Sequence, residues 1–341
     1  MTRLAELIDE VRIGPRTIEG HLLGAIDSAE ISSRIEAMVS AELGAIEIAL
    51  FYKTSVGIVV GFRMASQLEV VVKIISWGVS EDRLLEIHKV QNYLANAALA
   101  APRSLFGPVR LGNGFAFIEE MRAGNEGDGF DEDVRRNVAF GLRRFVNAAQ
   151  PMVGRVNVGR PLVLRNDYKS LWPEPHDLNF DFQATTDGAQ WIDEYGVQAR
   201  QALNGATGEL ALGHFDWRVQ NLAFREKEIV AIYDWDSVGL APEAVIVGCA
   251  AASFSSTWVR RDVDTLPTVQ LMRSFVEFYE EARGKSFDDG ERELIDAANL
   301  WLCAYGARCQ HSNLVLGIGP KTAGSSSWIR LLRERGSNAF R

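Results

Sequence analysis

Cysteine, histidine, positive charge and long apolar runs are all scarce in this chain, and each shortage removes a class of protein. Three cysteines stand among 341 residues, at 249, 303 and 309, with no C-x-x-C pair. A disulfide-stapled scaffold is therefore excluded, and buried thiols of a reducing compartment are expected. The five histidines are scattered and show no zinc-motif spacing with the cysteines. No stretch approaches the ~20 apolar residues of a membrane helix, and acids interrupt the opening MTRLAELIDEVRIGPR where a signal peptide would be apolar. The expectation is a cytoplasmic protein without a membrane partner. A formal charge of −9 argues against a nucleic-acid partner, which would call for a basic face. Low-complexity tracts and internal repeats are also absent.

What remains is an ordinary globular composition on a chain long enough for two core-bearing units. Apolar residues at helical spacing in 16–42 predict two short helices. From residue 45 the chain turns β-branched and aromatic, and 46–52, 58–64 and 68–75 read as antiparallel strands joined by short turns. A helix is expected from 81 to about 98, with Leu84, Ile87, Val90 and Leu94 in its apolar stripe, and a further strand over 115–121. The glycine-bearing acidic loop 123–129 predicts a boundary between an N-terminal unit, 1–124, and a C-terminal one, 125–341. Beyond it the pattern is mainly helical, over 134–149, 191–203, 265–283 and 288–311. Between these lies an irregular aromatic-rich stretch, 161–190, that includes Asp167, Tyr168 and Lys169.

The most informative segments are GHFDWRVQN at 213–221 and IYDWD at 232–236. They place a carboxylate, an amide and a second carboxylate at Asp216, Asn221 and Asp234, with gaps of five (221 − 216) and thirteen (234 − 221) residues. A base for a hydroxyl proton followed by two hard oxygen ligands is what phosphoryl transfer requires. Lys73 stands among valines and isoleucines in VVVKII, and a buried ammonium needs an anion.

With LGHFDWRVQNLAF, IVAIYDWDSVGLAPE, VVVKII and RLLEIHKVQNYLANAAL in view, the chain resembles the aminoglycoside phosphotransferase and choline kinase-like families, relatives of the protein kinases. The resemblance implies an α+β, bilobal protein-kinase-like fold, with a five-stranded antiparallel sheet and a mostly helical C-terminal lobe. It implies transfer of the γ-phosphoryl group of ATP or GTP to a hydroxyl of a small molecule. Asp216 would orient the attacking hydroxyl, Arg218 would touch the γ-phosphate, and Asn221 and Asp234 would hold Mg²⁺. Lys73 would contact the α/β-phosphates with Glu86 as its helix partner, Glu69 and Glu81 being alternatives. Thr54 and Ser55 would reach phosphate oxygens from a turn that lacks G-x-G-x-x-G. Glu119, Glu120 and Met121 would present backbone groups to adenine. His214 is read as a hydrogen-bonding part of the loop. Phe215 and Val219-Gln220 depart from the family pattern, which usually has a small residue and a proline-containing pair there. Acids at 174, 177, 181, 277, 280, 281, 288, 289, 291 and 293, with Trp172, Trp191, Trp258 and Trp301, would suit a cationic acceptor such as an aminoglycoside or another antibiotic. That reading makes the chain a resistance enzyme. The alternatives are a metabolic kinase for an amino alcohol, sugar or other hydroxylated metabolite, and a non-catalytic nucleotide-binding relative.

Overall fold

The structure is a computed structural model that describes residues 3–11, 17–75, 80–165, 170–177, 179–257, 265–318, 327–337 and 339–340. Asp167, Tyr168, Lys169 and Trp258 lie outside the described residues. The chain divides into two compact units, Met1–Asn96 with Ala101–Ala123, and Ala97–Ala100 with Gly124–Arg341.

In the first unit, helices α1 (Leu4–Glu10), α2 (Thr17–Leu23) and α3 (Ser28–Leu43) precede the sheet. Asp27 caps α3 by accepting the Glu30 amide at 3.0 Å, and Gly44 ends it at φ 87°. Five strands follow: β1 (Ile46–Thr54), β2 (Ile58–Met64), β3 (Glu69–Ile75), β4 (Ser104–Leu111) and β5 (Gly114–Glu120). Helix α4 (Glu81–Asn96) is inserted between β3 and β4. The order is β1-β2-β3-β5-β4 and every pairing is antiparallel.

Alternation sorts the two faces of this sheet. Val70, Val72 and Ile74 of β3, with Ala116 and Ile118 of β5, join a core shared with Leu4, Ile8, Leu22, Ile31, Ile35 and Val39 of the first three helices. Phe115 and Phe117 point the other way and pack with Leu84 of α4. Because β3 is covered on both faces, it reads as a nearly continuous apolar run. Five strands were expected, but the residues of strand β4 were not read as one. It carries Pro108 and two register shifts, which only an edge strand tolerates well.

The second unit contains α5 (Glu132–Ala149), α6 (Gln190–Leu203), α7 (Glu243–Ser253), α8 (Val269–Arg283), α9 (Asp289–Leu316) and α10 (Trp328–Arg335). Two short ladders are set among them: β6 (Leu210–His214) pairs with β9 (Val238–Pro242), and β7 (Leu222–Arg225) with β8 (Glu228–Ile232). Helix α7 is buried on every side, and Gly248 lets the Ile295 carbonyl of α9 approach its backbone. Cys249, Cys303 and Cys309 are free and buried in this core, and burial pushes the Cys303 thiol up to about 12. They are inert packing groups. Among the described residues no helix is long and apolar enough to cross a membrane.

The C-terminal segment is fastened by ions. Arg335, fully buried, donates to Asp296 Oδ1 at 2.6 Å and to Asn299 Oδ1 at 2.6 Å, while Asp296 Oδ1 also accepts the Ala339 amide at 3.0 Å. Removing one partner of such a pair leaves a charge stranded in the core, at a cost of about 3–5 kcal/mol. Asp296→Ala is expected to lower the midpoint of thermal unfolding by about 10 °C. A calorimetric scan that moves by less than a degree would mean that the segment contributes nothing to stability.

Candidate active site

The loop between β6 and β7 is built on His214. Its side chain is buried, and Nε2 donates to the Tyr233 carbonyl at 2.7 Å. That leaves Nδ1 as an acceptor, which the Asp216 amide reaches at 3.3 Å and the Ser237 hydroxyl approaches at 3.1 Å. The imidazole thus stitches the β6 loop to the segment after β8. Around it lie Phe145, Trp217 and Trp235, in mostly edge-to-face contacts. Trp217 is fully buried and donates to the Val138 carbonyl of α5 at 2.9 Å; Trp235 is buried and donates to the Ile232 carbonyl at 2.7 Å. With both tryptophans turned inward, Asp216, Asp234 and Asp236 stay partly exposed.

On this frame the polar groups converge. Asn221 Nδ2 donates to Asp216 Oδ2 at 2.7 Å and to the Asp216 carbonyl at 2.9 Å. Arg218 Nε lies 2.9 Å from Asp216 Oδ1. The Tyr233 amide donates to the Asn221 carbonyl at 2.8 Å, tying the two motif segments together one residue before Asp234. Asp234 itself is left-handed at φ 64°, and its carbonyl accepts the Ser237 amide at 3.2 Å and hydroxyl at 2.9 Å. The departures from the family pattern have local reasons. The Val219 amide donates to the Phe254 carbonyl at 2.8 Å, a bond that proline could not make, and the Phe215 amide donates to the Ser237 carbonyl at 3.2 Å.

In the first unit, Lys73 and Glu119 share one face of the sheet. Their polar ends are 3.6 Å apart and both side chains are buried. Glu86 accepts a hydrogen bond from Lys89 on the less buried side of α4, and Glu69 is bonded to Arg63 at 2.8 Å. Glu119, expected to serve adenine, is thus an acid that the structure sets beside Lys73. In the segment expected to face adenine, the Met121 amide donates to the Glu69 carbonyl at 3.0 Å. Thr54 closes β1 against Ile58, and the Ser55 amide donates to the Gly57 carbonyl at 3.0 Å across the turn.

The acceptor-side expectations fare differently. Trp172 and Trp301 are core residues: Trp301 stacks on Tyr305 with centroids 5.2 Å apart, and both rings are buried. Trp191 lies under Arg333 at 4.9 Å. Glu280 pairs with Arg292, Glu281 with Arg136 and Glu291 with Arg283, while Asp288 caps α9. Glu280, Glu281 and Glu291 join neighbouring helices through these pairs. His176, which carried no role in the sequence reading, bonds the Tyr305 hydroxyl through Nδ1 at 2.9 Å. Burial lowers its pKa; Asp177 and Asp216 oppose that shift, and Arg218 adds to it. His176 therefore lies within electrostatic reach of the loop that carries Asp216 and Arg218. Its motif-free surroundings gave no signal for this.

The model of the phosphotransferase enzyme family matches residues 62–284. Comparison with curated protein sequences gave no match. Among solved structures, a thermostable mutant of aminoglycoside phosphotransferase APH(4)-Ia, in a ternary complex with AMP-PNP and hygromycin B, is 14% identical over 83% of this chain and 92% of its own, with a TM-score of 0.53. Amicoumacin kinase hAmiN, in complex with AMP-PNP, Ca²⁺ and Ami, is 11% identical over 90% and 94%, at 0.56. Plasmodium vivax ethanolamine kinase is 13% identical over 92% and 88%, at 0.53. The five-stranded sheet and helical second unit are thus the protein-kinase-like fold of these enzymes, and with nearly two thirds of its length inside the family match the chain belongs to the phosphotransferase enzyme family.

Proposed function

We propose that this protein transfers the γ-phosphoryl group of ATP or GTP to a hydroxyl on a small molecule, with Asp216 receiving the hydroxyl proton. The observation that carries the reading is the Asp216 carboxylate, held by Asn221 at 2.7 Å and Arg218 at 2.9 Å on a loop locked by His214. A carboxylate held by one hydrogen bond and one ion pair is pre-positioned to orient an attacking oxygen, so proximity and electrostatics supply the rate. Arg218 extends from the same carboxylate and is the donor for the γ-phosphate.

The residues also fit Mg²⁺. Among the described residues no group of three or more His, Cys, Asp or Glu side chains could hold a metal alone. The family chemistry asks for less: one amide oxygen and one carboxylate, the remaining ligands coming from phosphate and water. With its Nδ2 committed to Asp216, Asn221 keeps Oδ1 as that oxygen, and Asp234 supplies the carboxylate. Bound there, Mg²⁺ would offset charge on the nucleotide phosphates.

The acceptor is a hydroxyl-bearing small molecule. Proteins of this fold include an enzyme complexed with hygromycin B, an amicoumacin kinase and an ethanolamine kinase, which supports either an antibiotic or an amino alcohol. The internal pairing of Glu280, Glu281 and Glu291 favours the metabolite reading over a strongly cationic antibiotic. A mass-spectrometric screen with ATP, GTP and Mg²⁺ over aminoglycosides, macrolides, basic peptide antibiotics, choline, ethanolamine and sugars tests this. One acceptor gaining a single phosphoryl group is expected. Nucleotide bound without any turnover, on these or on a wider metabolite panel, would leave a non-catalytic nucleotide-binding protein.

A further inference from the structure

We infer that Glu119, held in place by Gln91, is the residue that positions Lys73 for the nucleotide phosphates. The inference rests on the reading of Lys73 as the phosphate-binding lysine. Register brings the pair together: Lys73 of β3 lies opposite Phe117 of β5, and Val71 opposite Glu119. Lys73, Phe117 and Glu119 therefore share the face that α4 covers, and Glu119 is the diagonal neighbour of Lys73 across the ladder. Lys73 is 7% exposed, Glu119 1% and Gln91 0%.

Three links form a relay. Glu119 Oε2 lies 3.6 Å from Lys73 Nζ. Gln91 Nε2 donates to Glu119 Oε1 at 2.8 Å and to the Pro102 carbonyl at 3.0 Å, which fixes the plane of the carboxylate. Gln91 sits on the buried stripe of α4, two turns after Leu84, so the helix is joined to the lysine through a strand-borne acid. His88 completes the cluster, its ring edge-on to Phe117 at 4.9 Å. Burial lowers its pKa, with Glu119 opposing and Lys73 adding a smaller push in the same direction, so it brings no competing positive charge. An ammonium in such surroundings is tolerated only beside a fixed anion. Movement of α4 would pull Gln91, turn Glu119 and shift Lys73.

The test needs no acceptor, because it reads ATP binding by calorimetry in the presence of Mg²⁺. Glu119→Gln keeps the shape and removes the charge. It is expected to weaken ATP by about tenfold, as loss of a charge-assisted contact should, and Gln91→Met by a smaller factor in the same direction. Lys73→Met supplies the benchmark. The Lys73→Met, Glu119→Gln double variant should be no weaker than the worse single one, a coupling that a merely structural role for Glu119 would not produce. Affinity within twofold of the unaltered protein in Glu119→Gln, alongside a loss in Lys73→Met, would overturn the positioning role while leaving Lys73 in place. A larger loss in Glu86→Gln than in Glu119→Gln would overturn it too. Unchanged affinity in Lys73→Met would remove Lys73 itself from the site, a separate failure. If Glu119→Gln does not fold, Gln91→Met, whose change is confined to one amide, decides by the same readout.

Discussion

Asp216→Asn is expected to lower turnover by about a thousandfold while leaving ATP affinity nearly unchanged, as removal of a positioned general base should. Oδ2 accepts a hydrogen bond from Asn221, and the Arg218 guanidinium forms an ion pair with Oδ1. In the amide variant Asn221 or Arg218 must face an NH₂ group, and the group that accepts a hydroxyl proton is gone. The loop itself should persist, since its backbone links do not involve the carboxylate: the Asp216 amide to His214 Nδ1, the Asn221 amide to the Arg218 carbonyl, and Asn221 Nδ2 to the Asp216 carbonyl. Trp217, anchored on Val138, keeps the loop on α5. The loss should therefore fall on kcat, and thermal unfolding should move little. Intrinsic ATP hydrolysis, and acceptor phosphorylation once an acceptor is known, measure the first; ATP calorimetry measures the second. Full turnover in Asp216→Asn would take Asp216 out of the reaction.

The candidate site residues most legible in the sequence are those set by short spacing. Asp216, Asn221 and Asp234 lie within a span of eighteen residues (234 − 216), joined by two hydrogen-bonded loop ends, so the pattern in the chain is nearly the pattern in space. Strands β1, β2, β3 and β5 were legible because alternation and β-branching are local. Edge strand β4 was not, because its Pro108 and register shifts look like loop chemistry. Glu119 as a neighbour of Lys73 was not read from the sequence for a different reason. Reading α4 as a helical wheel favours a helix-borne acid such as Glu86, whereas Glu119 is brought beside Lys73 from a strand 46 residues later (119 − 73), through ladder register. Parity gave a usable signal: Phe115, Phe117 and Glu119 alternate onto one face, and His88 and Gln91 interrupt the apolar stripe of α4. The acceptor side was illegible because acids on amphipathic helices read alike whether they face a ligand or an arginine. Here Arg136, Arg283 and Arg292 take three of them.

Asp234→Asn is expected to produce the opposite split from Asp216→Asn. The Mg²⁺-dependent part of ATP affinity should fall by about 100-fold, in the range seen when the surroundings of a bound metal are disturbed, while ATP binding in the presence of a chelator stays the same. The choice of asparagine matters. Asp234 is left-handed at φ 64° and ψ 47°, a conformation that Asp and Asn accept more readily than Ala does. Asp234→Ala would add backbone strain of about 1–3 kcal/mol to the loss of the ligand and confuse the two. The turn holding the residue relies on main-chain and neighbouring groups, with the Asp234 carbonyl taking Ser237 and Trp235 bonded to Ile232, so it should survive loss of the charge. If ATP affinity with and without Mg²⁺ were unaltered in Asp234→Asn, Asp234 would not be a metal ligand, and Asp236, two residues on in the same turn, would be the next carboxylate to test.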